Sequence, residues 1–133
     1  MAWLAGLKIE KLEDELSCVS VPYKWLTTNP FKSIYFACLA MAAELSTGIL
    51  VMMYIKEQSI PISMLVVNIQ GVFTKKANQK ILFTCLDGLK IKEAVKNAIE
   101  SKEIVTIGTI SVGLNSDNEE VCRFNIQWSI KSK

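Results

Sequence analysis

One glutamate, Glu44, is the residue of this chain best placed to do chemistry. It lies in a run of twenty-two residues, Ile34 to Ile55, that contains no other charged side chain. A carboxylate among apolar side chains is strongly disfavoured unless it is protonated, paired or reached by water. Desolvation also makes a carboxylate a stronger base near neutral pH. We therefore expect Glu44 to be buried, either at a functional site or compensated by a lysine or by backbone donors.

The composition excludes several other classes of chemistry. The chain has no histidine, which excludes Ser/His/Asp and Cys/His nucleophilic catalysis as well as histidine metal sites. Its four cysteines form no CxxC pair, so neither a zinc site nor a redox motif is indicated, and no cofactor or metal is expected. The net charge is +2 and Arg123 is the only arginine, so we expect no nucleic-acid partner.

Length and cysteine usage indicate the class of protein. The 133 residues fit a single domain, and half of them are hydrophobic, so the chain can bury a core. The first residues lack the basic start, long apolar stretch and cleavage site of a signal peptide. Four cysteines without such a signal point to a reducing compartment, and we expect a cytoplasmic protein.

The helical patterns lie in the first half of the chain. In the N-terminal segment, residues 1 to 28, the spacing predicts an amphipathic surface helix over residues 3 to 16. Residues 19 to 26 predict a short extended segment that Pro22 would confine to a sheet edge or an entry loop. Asn29 before Pro30 is typical of a helix start, so we predict a central helix over residues 29 to 56.

Beyond the helix the hydrophobic period changes to two. Strands are predicted over residues 62 to 74, 80 to 87, 103 to 114 and 122 to 131, with a short helix near 89 to 100. In the first strand the alternation places Leu65, Val67, Ile69 and Phe73 on one face. A turn is predicted over residues 115 to 118, and in the strand after it the alternation directs inward Cys122, Phe124, Ile126, Trp128 and Ile130. Antiparallel pairing across residues 60 to 131 gives a sheet with one buried face, which the central helix fills. The sequence thus predicts an α+β domain over residues 1 to 133, an antiparallel sheet wrapped around a long central helix.

The apolar run is also long enough to span a bilayer. A central glutamate would be costly in lipid, the run is rich in small residues, and the strands require a core partner. These observations favour a buried helix and no membrane span. On that helix, three- and four-residue spacing places Ala37, Ala40, Met41, Glu44, Thr47, Gly48 and Val51 on one stripe of mostly small residues.

Four stretches resemble the hotdog-fold thioesterase superfamily, in particular its small, uncharacterised single-domain members. Asn29 to Ala37 is similar to the asparagine-containing entry to the central helix of that superfamily. Leu39 to Leu45 is similar to its leucine-alanine-acid motif, which puts Glu44 at the acidic catalytic position. Val66 to Ala77 resembles the strand that ends in a phenylalanine-leucine-arginine-proline pattern, and Val121 to Trp128 resembles the closing strand.

The resemblance implies hydrolysis of an acyl-CoA or similar thioester, with Glu44 as general base or nucleophile. It also implies that helix N-terminal amides near Tyr35 and Phe36 hold the oxyanion. Many relatives carry a His-Gly-Gly triplet at this helix entry, where the present chain reads Ile34-Tyr35-Phe36-Ala37. A backbone donor survives such a change of side chain, whereas bulky side chains are equally able to close the site.

Further binding residues are suggested by type and position. Asn29, Thr47 and Asn68 are candidates for orienting water or substrate, although Thr47 is equally suited to bond its own helix and Asn29 to cap it. Lys75 and Lys76 suit the phosphates of CoA or a solvated turn. The resemblance implies a homodimer or tetramer with ligand sites at the subunit interface.

The same fold suggests two alternatives to a thioesterase. A dehydratase of the same fold would need a histidine, so we discount it. A non-catalytic acyl-CoA or fatty-acyl binding hotdog protein is favoured by the missing His-Gly-Gly triplet. The sequence leaves open the acyl group, and whether CoA or a carrier protein brings it.

Overall fold

The computed structural model describes residues 6 to 24 and 27 to 133. Six strands and two helices occupy these residues in the order β1 (Lys8–Leu12), β2 (Ser17–Val21), α1 (Phe36–Lys56), β3 (Ile62–Phe73), β4 (Ile81–Cys85), α2 (Gly88–Ser101), β5 (Val105–Leu114) and β6 (Glu120–Ser132). The strands form one sheet in the order β1-β2-β4-β5-β6-β3, and every neighbouring pair is antiparallel.

Helix α1 lies against one face of this sheet, and the core sits between them. The inward residues of β6 alternate as its sequence predicts, and all are buried: Cys122, Phe124, Ile126, Trp128 and Ile130. On the helix side, the buried apolar residues are Leu39, Ala42, Ala43, Leu50, Val51 and Tyr54. The predicted α+β architecture, an antiparallel sheet around a long central helix, is confirmed.

Strand β3 differs from its predicted pattern because it contains a bulge. Val66 pairs with Trp128 and Asn68 pairs with Gln127, so Val67 has no partner in β6. One extra residue reverses which face every later side chain occupies. Leu65, opposite the outward Ser129, therefore lies on the other face from Ile69, opposite the buried Ile126. The prediction that Leu65 and Ile69 share one face is wrong for this reason.

The N-terminal segment is a strand where the sequence predicts a helix. Residues Lys8–Leu12 form β1, which is exposed along its whole length and pairs with β2. An edge strand with two exposed faces has the same polar composition as the surface of a helix, and here sheet pairing decides between them. Residues 1 to 5 of the predicted helix lie outside the described residues.

The extended segment predicted from residue 19 is confirmed up to Val21, and Pro22 lies in a loop, one of its two predicted positions; the other, a sheet edge, is wrong. Strand β2 lies between β1 and β4, and Ser17, Val19 and Val21 are buried. Pro22 directly follows the last strand residue, so its missing N–H removes no bond from the ladder. Residues 25 and 26 lie outside the described residues.

The central helix begins at Phe36 rather than near Asn29. The Asn29 Oδ1 accepts hydrogen bonds from the Phe31 N–H at 3.0 Å and the Ser33 N–H at 3.2 Å. These bonds close a tight loop in which Thr28 bridges Ile34, and Lys32 takes a left-handed conformation with φ 58°. Asn29 therefore caps a turn and not a helix, as short polar side chains commonly do.

By length and composition α1 would pass as a membrane span, since its most apolar stretch has a mean hydropathy of 1.8. Its sheet-facing side is buried against the strands, as expected of the core helix of a globular domain. The prediction of a buried core helix is confirmed for this side. The opposite side of α1 is not covered by residues 6 to 24 or 27 to 133.

Candidate active site on the uncovered side of the central helix

Glu44 lies on the uncovered side of α1, and its side chain is exposed. Its predicted burial is wrong for the isolated chain. It takes part in none of the ion pairs found among the described residues, so neither a lysine bridge nor burial compensates it. The carboxylate is solvated by water instead, so it needs neither protonation nor a charged partner.

The predicted small-residue stripe divides between the two sides of the helix. Ala37 and Glu44 are exposed, while Ala40 and Met41 are half-buried. The rest of the stripe, Thr47, Gly48 and Val51, is buried against the sheet. The uncovered side is therefore an apolar surface around a single carboxylate, a surface that suits a second protein copy or an acyl ligand.

A groove of about 260 Å³ lies at the beginning of α1. Its lining combines the entry loop, the first helical turn and the end of β3: Asn29, Ser33, Ile34, Phe36, Leu39, Phe73, Lys75 and Ala77. The ring centroids of Phe36 and Phe73 are 5.4 Å apart, and Phe73 contacts the buried Phe124 edge-on at 5.6 Å. These aromatic contacts hold an apolar wall beside the helix start.

The first turn of α1 has no side-chain cap. Tyr35 is the N-cap residue, and its side chain makes no capping hydrogen bond. Its own N–H donates to the Thr27 carbonyl at 2.7 Å. The N–H groups of Phe36 and Ala37 occupy the first two helical positions, which have no acceptor within a helix. A helix start of this kind stabilises negative charge, which is what the developing oxyanion of an ester needs.

Glu44 and this helix start cannot act on one carbonyl group within a single chain. Phe36 and Glu44 are eight positions apart on the same helix, which corresponds to about 12 Å at 1.5 Å per residue. An attacking group and an oxyanion donor must both approach within about 3 Å of the reacting group. Within one chain, Glu44 and the start of α1 are therefore not two parts of a single reaction site.

Thr47 and Asn68 lie outside the groove. Thr47 is buried, and its hydroxyl donates to the Glu44 carbonyl at 3.0 Å and accepts the indole N–H of Trp128 at 2.9 Å. Thr47 thus bonds to its own helix, which was the predicted alternative to a role in orienting water or substrate. Asn68 is exposed on β3 directly after the bulge, opposite Gln127. The alternation of β6 predicts that Trp128 points inward. Its hydrogen bond to the Thr47 hydroxyl was not predictable, because that bond depends on how α1 packs against the sheet.

The two candidate phosphate-binding lysines differ in their surroundings. Lys75 lines the groove and pairs with Glu119, with Nζ 2.8 Å from the carboxylate. The hydrogen bond from Lys75, with a second from Asn115, lowers the pKa of Glu119 below its ordinary value. Lys76 is exposed. The charge of Lys75 is therefore already partly neutralised, which weakens it as a ligand for phosphate.

The cysteines are placed for packing rather than for reaction. Burial raises the pKa values of Cys85 and Cys122 to about 12, and burial also raises the pKa of Cys38. All four cysteines are free thiols. Over residues 6 to 24 and 27 to 133 the structure contains no group of three or more potential metal ligands of the types Cys, Asp and Glu.

A larger groove of about 470 Å³ lies on the opposite, outer face of the sheet. It is lined by Thr84, Leu86, Asp87, Ile110, Val112, Leu114 and Arg123. This groove contains neither the start of α1 nor any of the residues singled out by the sequence. The smaller groove is the better candidate, because it adjoins the start of α1 and includes Asn29 and Phe36, two of the residues proposed from the sequence.

Solved structures share this fold at low sequence identity. A protein of unknown function from Pseudomonas aeruginosa, described as a probable thioesterase, is 21% identical, with a TM-score of 0.82 over 97% of this chain and 85% of its own. A protein of unknown function from Chlorobaculum tepidum is 18% identical, with a TM-score of 0.83 over 99% of this chain and 86% of its own. A thioesterase from Haemophilus influenzae is 10% identical, with a TM-score of 0.69 over 98% and 82%.

No protein-family model matches the chain, and no curated protein is similar to it in sequence. At identities this low, structural likeness shows the fold alone. The chain has the hotdog fold, and its resemblance to the hotdog-fold thioesterase superfamily is confirmed at the level of that fold.

Proposed function

We propose that the chain is an acyl-CoA thioesterase-like hydrolase that works as a homodimer. Glu44 of one copy acts on an ester whose carbonyl oxygen is held by the start of α1 in the other copy. The observation that carries the proposal is the placement of an exposed carboxylate and an uncapped helix start on one uncovered helix side, about 12 Å apart. The four free cysteines support a cytoplasmic location for this enzyme.

Strand β3 supplies the surface for this dimer. It ends the sheet, and its twelve residues include no charged side chain. Leu65 is 66% exposed and Val72 is 59% exposed, so apolar side chains accompany the unpaired backbone. An edge of this kind pairs readily with another strand. A two-fold axis through the pairing makes the two β3 strands antiparallel and brings the two uncovered sides of α1 together.

The proposed reaction uses groups of this chain only. Glu44 accepts a proton from a water molecule whose oxygen bonds to the carbonyl carbon of the thioester. The carbonyl oxygen becomes an oxyanion and is stabilised by the N–H groups of Phe36 and Ala37 in the other copy. The tetrahedral intermediate then collapses, the carbon–sulfur bond breaks, and a carboxylic acid and a thiolate leave.

Thioesters suit a site without histidine. A thiol has a pKa near ~8.5, so the thiolate leaves without protonation by an acid. An amide leaving group would require a general acid in addition to Glu44. Closing the dimer over Glu44 removes water from around the carboxylate and makes it a stronger base.

Substitution of Glu44 tests the chemistry. We expect Glu44→Gln to lower kcat on acyl-CoA substrates by about 10²- to 10⁴-fold, the usual contribution of a general base. Glu57→Gln is the matched control, because Glu57 is an exposed glutamate just beyond the end of the same helix. Equal turnover by Glu44→Gln and wild type would remove Glu44 from the mechanism.

A mixing experiment tests the shared site. Phe36→Pro removes one N–H from the helix start, and Tyr35, with φ −56° and ψ 138°, already has a conformation compatible with a following proline. We expect both Phe36→Pro and Glu44→Gln to be inactive alone, and their mixture to recover about a quarter of wild-type activity, because half of the dimers are mixed and each has one intact site. Phe36→Ala, which keeps the N–H, separates the loss of the ring from the loss of the donor. No recovery on mixing would contradict a shared site.

A non-catalytic acyl-CoA binding protein is the second candidate. The observation that favours it is Phe36, which is 60% exposed at the helix entry where many relatives carry glycine. Binding of acyl-CoA without turnover by wild type, unchanged in Glu44→Gln, would establish this alternative.

A further inference from the structure

We propose that a buried polar anchor, formed by Ser17, Ser46, Ser111, Thr47 and Trp128, positions Glu44 for the reaction. This inference rests on the proposed function of Glu44. Thr47 and Ser46 are positioning residues, since they act on the helix turn that carries the carboxylate and do not touch the substrate.

Ser46 joins α1 to two strands. Its hydroxyl lies 2.6 Å from the Ser111 hydroxyl on β5 and donates to the Ala43 carbonyl at 2.7 Å. The backbone carbonyl of Ser46 accepts a hydrogen bond from the Ser17 hydroxyl on β2. All three serines are completely buried. Buried polar groups are strongly disfavoured without such partners, so the Ser17 hydroxyl requires the Ser46 carbonyl, and the hydroxyls of Ser46 and Ser111 require each other.

Thr47 joins the same helix turn to β6. Its hydroxyl bonds both the Glu44 carbonyl and the Trp128 indole, as described above. Gly48 makes this approach possible, because a Cβ there would lie 3.0 Å from the Trp128 ring. The helix backbone therefore lies directly on the indole.

These contacts are concentrated in one turn of α1. In the described structure, side-chain hydrogen bonds between α1 and the strands occur at Ser46 and Thr47; the one from Tyr54 reaches Asp14, in the turn between β1 and β2. The remainder of the helix packs through apolar side chains such as Leu39, Leu50 and Val51. Apolar packing is non-directional, whereas hydrogen bonds select one rotation and one translation of the helix.

The anchored turn is also the turn that carries Glu44. In a helix, residue 44 points away from residue 46 and lies about 60° around the axis from residue 47, within the same turn. Fixing the buried side of that turn therefore fixes the backbone position from which the Glu44 side chain extends. A displacement of 1 Å at a reacting group reduces rate by as much as about 10²-fold, so this positioning has a measurable consequence.

The test compares two buried threonines. We expect Thr47→Val to lower kcat by roughly 10- to 100-fold with KM changed less than about twofold, and Thr47→Ser to restore the wild-type value. Thr109→Val is the matched control, because its buried hydroxyl donates to the Ile126 carbonyl at 2.8 Å within the sheet, away from α1. We expect Thr109→Val to retain wild-type kcat. Ser111→Ala serves as the second anchor variant if Thr47→Val does not fold.

A spectroscopic readout separates this inference from the proposed function. The ¹³C carboxyl signal of Glu44, identified by its loss in Glu44→Gln, should be single in wild type and Thr47→Ser, and broadened or split in Thr47→Val or Ser111→Ala. An unchanged signal in both anchor variants would overturn the positioning role, whether or not the protein hydrolyses thioesters. Wild type without turnover but with these signal changes would reject the proposed function alone. Loss of kcat in Thr109→Val equal to that in Thr47→Val would show a general effect of stability and overturn the inference.

Discussion

The two edge strands of the sheet, β1 and β3, are built from different residues. β1 has five residues, three of them charged, and is interrupted by a bulge between Ile9 and Lys11. β3 has twelve residues, none of them charged, and is also bulged. Both strands have one unpaired side. A short, charged edge resists pairing with other strands, whereas a long apolar edge favours it.

This difference supports the proposed assembly through β3 rather than through β1. The charged edge β1 lies at the end of the sheet away from β3 and belongs to the surface. The apolar edge β3 ends beside the groove through Phe73 and adjoins the uncovered side of α1. The unpaired edge and the groove thus meet at Phe73, whose ring packs against Phe36 at the start of α1, and the proposed second copy would complete the site there.

Proline substitution at the two bulges is the strongest test of the comparison. Val67 and Glu10 are the bulge residues of β3 and β1, and neither is paired with the neighbouring strand. Proline is tolerated at bulges but blocks further pairing at an edge. We expect Val67→Pro to convert the dimer to a monomer and to abolish thioester hydrolysis. The measurement is light scattering combined with an acyl-CoA assay.

The matched variant Glu10→Pro should remain dimeric and active. A dimer that survives Val67→Pro but dissociates in Glu10→Pro would show that the interface lies at β1 and not at β3. A wild-type protein that is strictly monomeric would contradict both the proposed assembly and the shared site.

A pair of glycines tests how tightly β3 is held to β6. A Cβ at Gly71 would lie 2.7 Å from the ring of Phe124, which is completely buried and in contact with Phe36, Phe73 and Phe83. We expect Gly71→Ala to lower the free energy of unfolding by about 1–3 kcal/mol, the usual effect of overpacking. Urea denaturation measures this change.

Gly108 on β5 is the control for the glycine experiment. A Cβ there would meet nothing within 4 Å. We expect Gly108→Ala to be neutral or to stabilise the fold by up to about 1 kcal/mol, because it reduces the entropy of the unfolded chain. Equal destabilisation by both substitutions would indicate that the close approach of Gly71 to Phe124 is not the cause.

The smallest expected effect concerns the ion pair at the end of β3. Lys75 lowers the pKa of Glu119 below its ordinary value of 4.5, so the pair stabilises the fold above that pH and the effect is lost as pH falls through the lowered pKa. Both side chains are largely exposed, so the contribution is small. We expect Glu119→Gln to lower Tm slightly at pH 7 and by less as the pH falls below 4.5, as measured by calorimetry. A difference that persists unchanged at pH 3 would rule out the ion pair as its source.

Some elements were predictable because their own residues decide them. The strict alternation of β6 has one buried face whichever strand pairs with it, and the predicted inward residues are all buried. The turn over Asn115 to Asn118 and the short helix α2 follow likewise from local turn residues and helical spacing. The apolar run of α1 predicts a core helix for the same reason.

Other features depended on contacts between distant residues. Burial of Glu44 was inferred from its neighbours in sequence, but a helix places residue 44 on the opposite side from Ser46. Asn29 is an equally good cap for a helix or a turn. In the structure its side chain accepts hydrogen bonds from the N–H groups of Phe31 and Ser33, which stabilise the turn. Strand β1 has the polarity of a surface helix and forms a strand because β2 offers it a pairing edge.

The amino-acid sequence by itself determined the order of the main elements, the core face of β6, the apolar character of α1 and the identity of its single acidic residue, because hydrophobic periodicity and residue chemistry act locally. Only the tertiary structure decided which side of α1 the sheet covers, where the bulge reverses β3, and which hydroxyls meet beneath Glu44. Those features arise from pairing and packing between residues far apart in the chain, and no local pattern encodes them.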